Sequence, residues 1–90
     1  MIVKEIICAG GACPYQCEGF LEDGREFYLR YRGGRLTLRA GKNQKELRSN
    51  EGVIYTEKIG DDLDGGANNH LFHKKLDNLI KFPPNFIFEY

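Results

Sequence analysis

Arginine and tyrosine alternate along one stretch of the chain, and these are residue types that bind anions. Between Arg25 and Arg39 the sequence reads REFYLRYRGGRLTLR. A guanidinium group binds phosphate or carboxylate through paired hydrogen bonds, and a tyrosine ring stacks on a nucleotide base. The residues that we predict to contact a ligand or partner are Tyr28, Arg30, Arg32, Arg35 and Arg39.

Two interpretations of this basic stretch are open from the sequence. From Arg25 to Arg48 the chain carries eight basic residues against Glu26 and Glu46. One interpretation is a surface that contacts an anionic partner. The other is an ordinary solvated strand surface whose charges pair with the acidic segment Glu51 to Asp64 of the same chain.

The overall charge limits the partners that the chain could attract. Thirteen basic residues balance thirteen acidic ones, so any attraction to nucleic acid or to a membrane must be local. We therefore expect a non-catalytic binding or regulatory domain that contacts a protein or a small anionic ligand through the arginine-rich hairpin face. The alternative is a nucleic-acid-binding domain that uses the same face and its tyrosine.

Cysteine and histidine residues suggest a metal site only weakly. A zinc ion could be held by thiolates and imidazoles from Cys8, Cys13, Cys17, His70 and His73. The spacing of the cysteines does not match a zinc knuckle, and an odd number of cysteines favours reduced thiols, one or two of them in the core. We predict neither a metal nor a cofactor.

The sequence also favours a non-catalytic protein over an enzyme. A nucleophilic cysteine would need a histidine as its base, and both histidines lie far from the cysteines in sequence. The acidic run Asp61 to Gly66 fails as a calcium loop, because Leu71 stands where the bidentate glutamate belongs. A chain of 90 residues rarely encloses both a core and a catalytic pocket.

The basic stretch must be positioned by a β-hairpin. Gly33-Gly34 favours a two-residue turn with positive φ at both positions, which places Arg32 opposite Arg35 and Leu29 opposite Leu38. Side chains alternate between the two faces of a strand. The inner face of the hairpin therefore carries Phe27, Leu29, Tyr31, Leu36 and Leu38, and the outer face carries the arginines and Tyr28.

Other strand patterns surround this hairpin. They cover Met1 to Ala9, Tyr15 to Glu22 and Val53 to Ile59. A two-residue turn at Asp23-Gly24 would pair Phe20 with Phe27 and place Glu18 opposite Leu29, on the core side. A carboxylate there needs a polar partner, an open sheet edge, or a bulge at Gly19 that shifts the register.

The C-terminal half contains the one helix that we predict, from Asn68 to Phe82. Asn68 or Asn69 is the expected N-cap, Pro83-Pro84 ends the helix, and Phe86 to Phe88 should form a short final strand. Residues 41–52 form either a mobile loop or a short helical turn. The predicted fold is one α+β domain over residues 1–90, an antiparallel β-meander of four to five strands with this helix packed on its inner face.

Several short motifs resemble a group of small uncharacterised bacterial and phage proteins, over about half of the chain. They are Gln16-Cys17-Glu18-Gly19, Asp23-Gly24-Arg25, Tyr28, Arg30-Tyr31-Arg32-Gly33-Gly34 and Leu63-Asp64-Gly65. The resemblance implies a compact accessory protein of bacterial or phage type, and it brings no known activity.

Location and assembly are also expectations. No apolar run approaches the roughly 20 residues of a membrane span, and Lys4 and Glu5 interrupt the apolar N-terminal segment, so we expect a cytoplasmic protein without membrane contact. The C-terminal FIFEY, at the margin of a small sheet, could pair with a second copy, so a homodimer is possible.

Overall fold

The hairpin lies at the centre of a five-stranded antiparallel sheet in which the strands follow their order in the sequence. The structure is a computed structural model and describes residues 1–12, 14–62 and 66–89. The strands are β1 (Val3–Gly10), β2 (Tyr15–Leu21), β3 (Glu26–Arg32), β4 (Arg35–Gly41) and β5 (Val53–Lys58). The helices are α1 (Gln44–Arg48), a short 3-10 helix (Asn50–Gly52) and α2 (Asn69–Leu76). The predicted α+β meander is confirmed.

The register of the β3–β4 hairpin is the one predicted. Arg32 pairs with Arg35, and Leu29 pairs with Leu38. Gly33 and Gly34 have φ values of 59° and 76°, the left-handed conformation that a two-residue hairpin turn requires. The inner and outer faces of the hairpin are therefore assigned correctly.

The register of the β2–β3 hairpin differs from the prediction, because its loop has three residues instead of two. The Leu21 amide donates to the Arg25 carbonyl at 2.8 Å, and Gly24 has φ 92°. The extra loop residue shifts β2 by one position, which moves every β2 side chain to the opposite face. Glu18 consequently lies opposite Tyr28 on the outer face, and the prediction that it faces the core is wrong.

α2 packs on the inner face of the sheet, as predicted. Its Phe72 makes an edge-to-face contact with Tyr31 and a tilted contact with Tyr15, with ring centroids 4.9 and 5.9 Å apart, and such aromatic pairs stabilise a core. The predicted N-cap is also confirmed, since Asn68 Oδ1 accepts a hydrogen bond from the Leu71 amide at 3.1 Å. The buried core includes Val3, Tyr15, Cys17, Leu21, Phe27, Leu29, Tyr31, Leu36, Leu38, Phe72, Leu76, Ile80 and Phe88.

α2 ends at Leu76, six residues before the predicted end. The carbonyl of Leu76 accepts from both Leu79 and Ile80, which closes a terminal turn. Lys81 then pairs with the N-terminal segment: its amide donates to the Met1 carbonyl at 2.8 Å, and its carbonyl accepts from Val3 at 2.9 Å. Residues that continue a helix cannot make these contacts, so the helix stops.

The predicted final strand over Phe86 to Phe88 is absent from the described structure. The Phe86 amide donates to the Pro83 carbonyl at 3.0 Å, which forms a turn, and the Phe88 amide donates to Asn69 Oδ1 at 2.8 Å. Phe88 is only 2% exposed and packs among the aromatic side chains of the core. Phe88, at this end of the chain, therefore contributes to the core.

Of the two alternatives considered for residues 41–52, a mobile loop or a short helical turn, the structure shows helical turns: α1 and the adjoining 3-10 helix. Asn43 Oδ1 caps α1 by accepting from the Glu46 amide at 2.9 Å, and Leu47 is 4% exposed. The α1 backbone approaches Gly41 so closely that a Cβ there would lie 2.6 Å from the Leu47 nitrogen. No helix in the described part of the chain has the length and apolar character that a bilayer crossing requires.

Candidate functional site

The five residues predicted to bind a partner lie on the same outer face of the sheet, opposite α2. Arg30 stands between Gln16 on β2 and Thr37 on β4 in one cross-strand row. Tyr28 stands between Glu18 and Arg39 in the next row. Directly opposed side chains on a sheet face lie close enough to act together, so the two rows form one continuous polar surface.

A groove of about 560 Å³ opens on this surface, with α1 as one wall. Its sheet side combines charged, amide and aromatic groups, while α1 contributes a third arginine, a glutamine and the edge of a buried leucine. The lining residues are Gln16, Glu18, Tyr28, Arg30, Arg39, Gln44, Leu47 and Arg48.

A second, shallower depression of about 240 Å³ adjoins the groove on the side of the Gly33-Gly34 turn. It is lined by Arg30, Arg32, Arg35 and Thr37, so Arg30 belongs to both depressions. Three guanidinium groups and one hydroxyl are all hydrogen-bond donors, which makes this depression suited to an oxyanion such as phosphate.

The arginine side chains of the outer face differ in the hydrogen bonds that they make within the protein. Arg39 Nη1 donates to the carbonyl oxygens of Ser49 at 3.0 Å and Leu47 at 3.4 Å, so it holds the C-terminal end of α1. Arg35 Nη1 donates to Thr56 Oγ1 at 3.3 Å. Within the described ranges, the side chains of Arg30 and Arg32 make no hydrogen bond or ion pair, so both are available to a ligand.

The acidic segment Glu51 to Asp64 was the possible internal partner of the arginines. In the part of it that the structure describes, two carboxylates pair with lysines instead. Glu57 Oε2 accepts from Lys75 Nζ on α2 at 3.0 Å, and Asp62 pairs with Lys58. These contacts lower the pKa of both carboxyl groups; for Glu57 the hydrogen bond from the Tyr55 hydroxyl contributes most. Among residues 51–62, no carboxylate pairs with an arginine of the outer face.

Glu18 is the groove residue that the sequence prediction misplaced. Its side chain is exposed and lines the groove beside three arginines, yet it forms no ion pair with any described residue. The signal that could have located it is the Asp23-Gly24 turn, which also fits a three-residue loop with glycine in the left-handed position. That register would have placed Gln16 and Glu18 on the outer face.

The cysteine and histidine residues do not come together in the described structure. Cys17 is buried on the inner face, where burial and then the neighbouring Cys8 raise the pKa of its thiol to about 12. Cys8 is exposed, and Cys13 lies outside the described residues. The His73 ring packs against the Phe88 ring, with ring centroids 4.9 Å apart.

The described residues include no group of three histidine, cysteine or carboxylate side chains placed to hold a metal ion. The acidic loop considered for calcium lies partly outside the described residues, at positions 63–65. The chemistry that remains on the outer face is hydrogen bonding and charge, with one aromatic ring.

Comparison of the chain with protein-family models, with curated proteins and with solved structures found no match. The function must therefore be argued from the site. The fold and the outer face define a small α+β protein with a polar groove in which arginine predominates.

Proposed function

We propose that the protein is a non-catalytic binding domain that holds a small anionic ligand, or an anionic group of a protein partner, on its arginine-rich outer face. The observation that carries this proposal is the position of Arg30. It lies in both depressions and has no partner among the described residues. The resemblance of the turn motifs to small bacterial and phage proteins supports an accessory or regulatory role.

The shape of the face favours a small ligand over a flat protein interface. A volume of about 560 Å³ is within the range of small-molecule sites, which extends from roughly 300 to 1,000 Å³. Arg30 and Arg32 are two residues apart on one face of β3, so both side chains can reach one ligand without a change of the strand backbone. Binding should then order the two side chains but not the backbone, which limits the loss of conformational entropy.

Nucleic-acid binding is the second candidate, and Tyr28 is the observation that favours it. Its ring lines the groove next to Arg30, so a base could stack there while a neighbouring phosphate contacts the arginine. Salt separates the candidates. Affinity that depends on several phosphate contacts falls linearly with salt on logarithmic scales, whereas affinity for a shape-matched protein partner changes much less.

The test is calorimetric titration of the protein with pyrophosphate, an acidic peptide and a single-stranded oligonucleotide. We expect the double variant Arg30→Ala with Arg32→Ala to lose at least about tenfold in affinity for the ligand that binds, since two charge-assisted contacts are removed. The double variant Lys4→Ala with Lys74→Ala is the control, because it removes the same charge outside the groove. Unchanged binding in the arginine variant would refute the proposal.

A further inference from the structure

We infer that the anionic ligand is a guanine nucleotide, with its base in the groove and its phosphate in the adjoining depression. The inference rests on the proposed function and specifies its ligand. Three features of the outer face carry it: the unpaired carboxylate of Glu18, the ring of Tyr28, and the division of the surface into a mixed groove and an all-donor depression.

Glu18 disfavours the binding, in the groove, of a ligand that is only an anion. A carboxylate in the groove repels phosphate or sulfate, and the desolvated charge needs a hydrogen-bond donor when a ligand displaces its water. None of the three groove arginines, Arg30, Arg39 and Arg48, forms an ion pair with Glu18 in the described structure, so we assign the donor to the ligand. The ligand therefore presents an anion at one end and N–H groups at the other.

Guanine meets the requirement of Glu18 better than the other bases. An ionised carboxylate has two acceptor oxygens and no donor, so its best partner offers two adjacent N–H groups. Guanine has such a pair in its ring N1–H and its exocyclic amino group, while adenine and cytosine offer the exocyclic amino group beside an acceptor. Gln16 and Gln44 line the same groove with amides that donate and accept, and so they suit the remaining polar edge of the base.

The spacing along β3 suits a single nucleotide. Tyr28 and Arg30 are two residues apart on one face of the strand, which is roughly 7 Å. This distance lets a base that stacks on the tyrosine ring carry its ribose toward Arg30. Arg30 is also the residue that the groove shares with the depression, where Arg32 and Arg35 are placed to receive the phosphate.

The experiment titrates the wild-type protein, Glu18→Gln and Glu22→Gln with GMP, AMP and pyrophosphate. Glu22 is an exposed carboxylate of the β2–β3 turn outside the groove, so its variant matches the charge change. We expect the wild-type protein to bind GMP roughly five- to fiftyfold more tightly than AMP, the discrimination of one bidentate base contact. Glu18→Gln should lose that preference and bind pyrophosphate more tightly, while Glu22→Gln should match the wild-type protein for all three ligands.

The possible results separate this inference from the proposed function. Equal affinity for GMP and AMP, or an unchanged preference in Glu18→Gln, would overturn the guanine assignment and leave anion binding intact. Failure of GMP, AMP and pyrophosphate to bind would overturn the inference, and it would overturn the proposed function as well if the acidic peptide and the oligonucleotide also failed to bind. A guanine-containing tetranucleotide, compared with its adenine counterpart, tells whether the site takes the nucleotide free or within single-stranded RNA; guanine preference in either form supports the inference.

Discussion

Gly34 joins two separate parts of the sheet at one position. It occupies the β3–β4 turn with φ 76°, and its carbonyl accepts hydrogen bonds from the amides of Ile59 at 2.7 Å and Gly60 at 3.0 Å. A Cβ at this position would meet the carbonyl oxygens of Gly60 and Asp61. The residue is therefore constrained both by its backbone conformation and by the chain that follows β5.

We predict that Gly34→Ala lowers the free energy of unfolding by about 2–5 kcal/mol. The left-handed conformation costs a non-glycine residue about 1–2 kcal/mol, and the steric overlap adds about 1–3 kcal/mol. Gly24→Ala is the control, because Gly24 also has positive φ but an added Cβ would have no atom within 4 Å. Urea unfolding followed by circular dichroism measures both variants, and equal losses would show that the overlap with Gly60 contributes nothing.

The residues also show where a sequence prediction of the site succeeds and where it fails. Tyr28, Arg30 and Arg32 could be assigned to one face because Gly33-Gly34 fixes the hairpin register. Glu18 could not, because Asp23-Gly24 is compatible with loops of two and three residues and one residue reverses the face. One ambiguous turn thus prevented the sequence from placing Glu18 on the outer face, and the proposed guanine ligand depends on this carboxylate.

α1 depends on the sheet for its stability. It has five residues, and isolated helices shorter than about 12 residues are marginal in water. The Leu47 side chain of α1 is buried, and the α1 backbone packs closely against Gly41 of β4. Arg39 donates hydrogen bonds to the carbonyl groups of Leu47 and Ser49 at the end of α1. Arg39 thus holds α1 in place as the wall of the groove, whereas the Arg30 side chain makes no contact of this kind in the described structure.

We therefore predict that alanine substitution of two arginines of the same face changes the free energy of unfolding by different amounts. Arg39→Ala should lower the free energy of unfolding by about 1–2 kcal/mol, since it removes charge-assisted hydrogen bonds at a half-buried position. Arg30→Ala should stay within about 0.5 kcal/mol of the wild-type protein, as exposed residues without partners usually do. Thermal or urea unfolding distinguishes the two variants. A large loss in Arg30→Ala would mean that Arg30 has a structural role.

The elements that the sequence did not predict are those fixed by distant backbone contacts. The apolar spacing of Leu71, Phe72 and Leu76 indicated α2, but nothing local shows that Lys81 will pair with Met1 and end the helix early. The Phe86 to Phe88 pattern suits a strand equally well. Its backbone is instead held by a proline carbonyl and an asparagine side chain.

The two faces of the sheet differ across the whole molecule: one is polar and the other forms the core. Its net charge is zero, yet the outer face gathers arginines while the inner face holds the aromatic core. Tyr15 and Cys17 belong to that core, and the Tyr15 hydroxyl is buried with no hydrogen-bond partner in the described structure. Burial raises the pKa of both groups: that of Cys17 reaches about 12, and that of Tyr15 lies higher still.

These two groups should make the fold sensitive to alkali. In the unfolded chain the Cys17 thiol ionises near pH 9.0 and the Tyr15 hydroxyl near pH 10.0, whereas in the folded protein both keep their protons to higher pH. Because the folded-state pKa is raised, the stability that each contributes is complete below the unfolded pKa and is lost as the pH rises. Each group should lower the free energy of unfolding by up to about 1.4 kcal/mol per pH unit.

Urea unfolding between pH 8 and pH 11 checks this prediction, with the two groups separated by their starting points. Cys17→Ala should delay the decline from about pH 9 to about pH 10, and Cys17→Ala with Tyr15→Phe should reduce it further. Cys8→Ala also removes one thiol, but an exposed one, and it leaves Cys17 buried, so the decline should still begin near pH 9. A wild-type stability that is flat from pH 9 to pH 11 would show that neither group is protected from ionisation by the core.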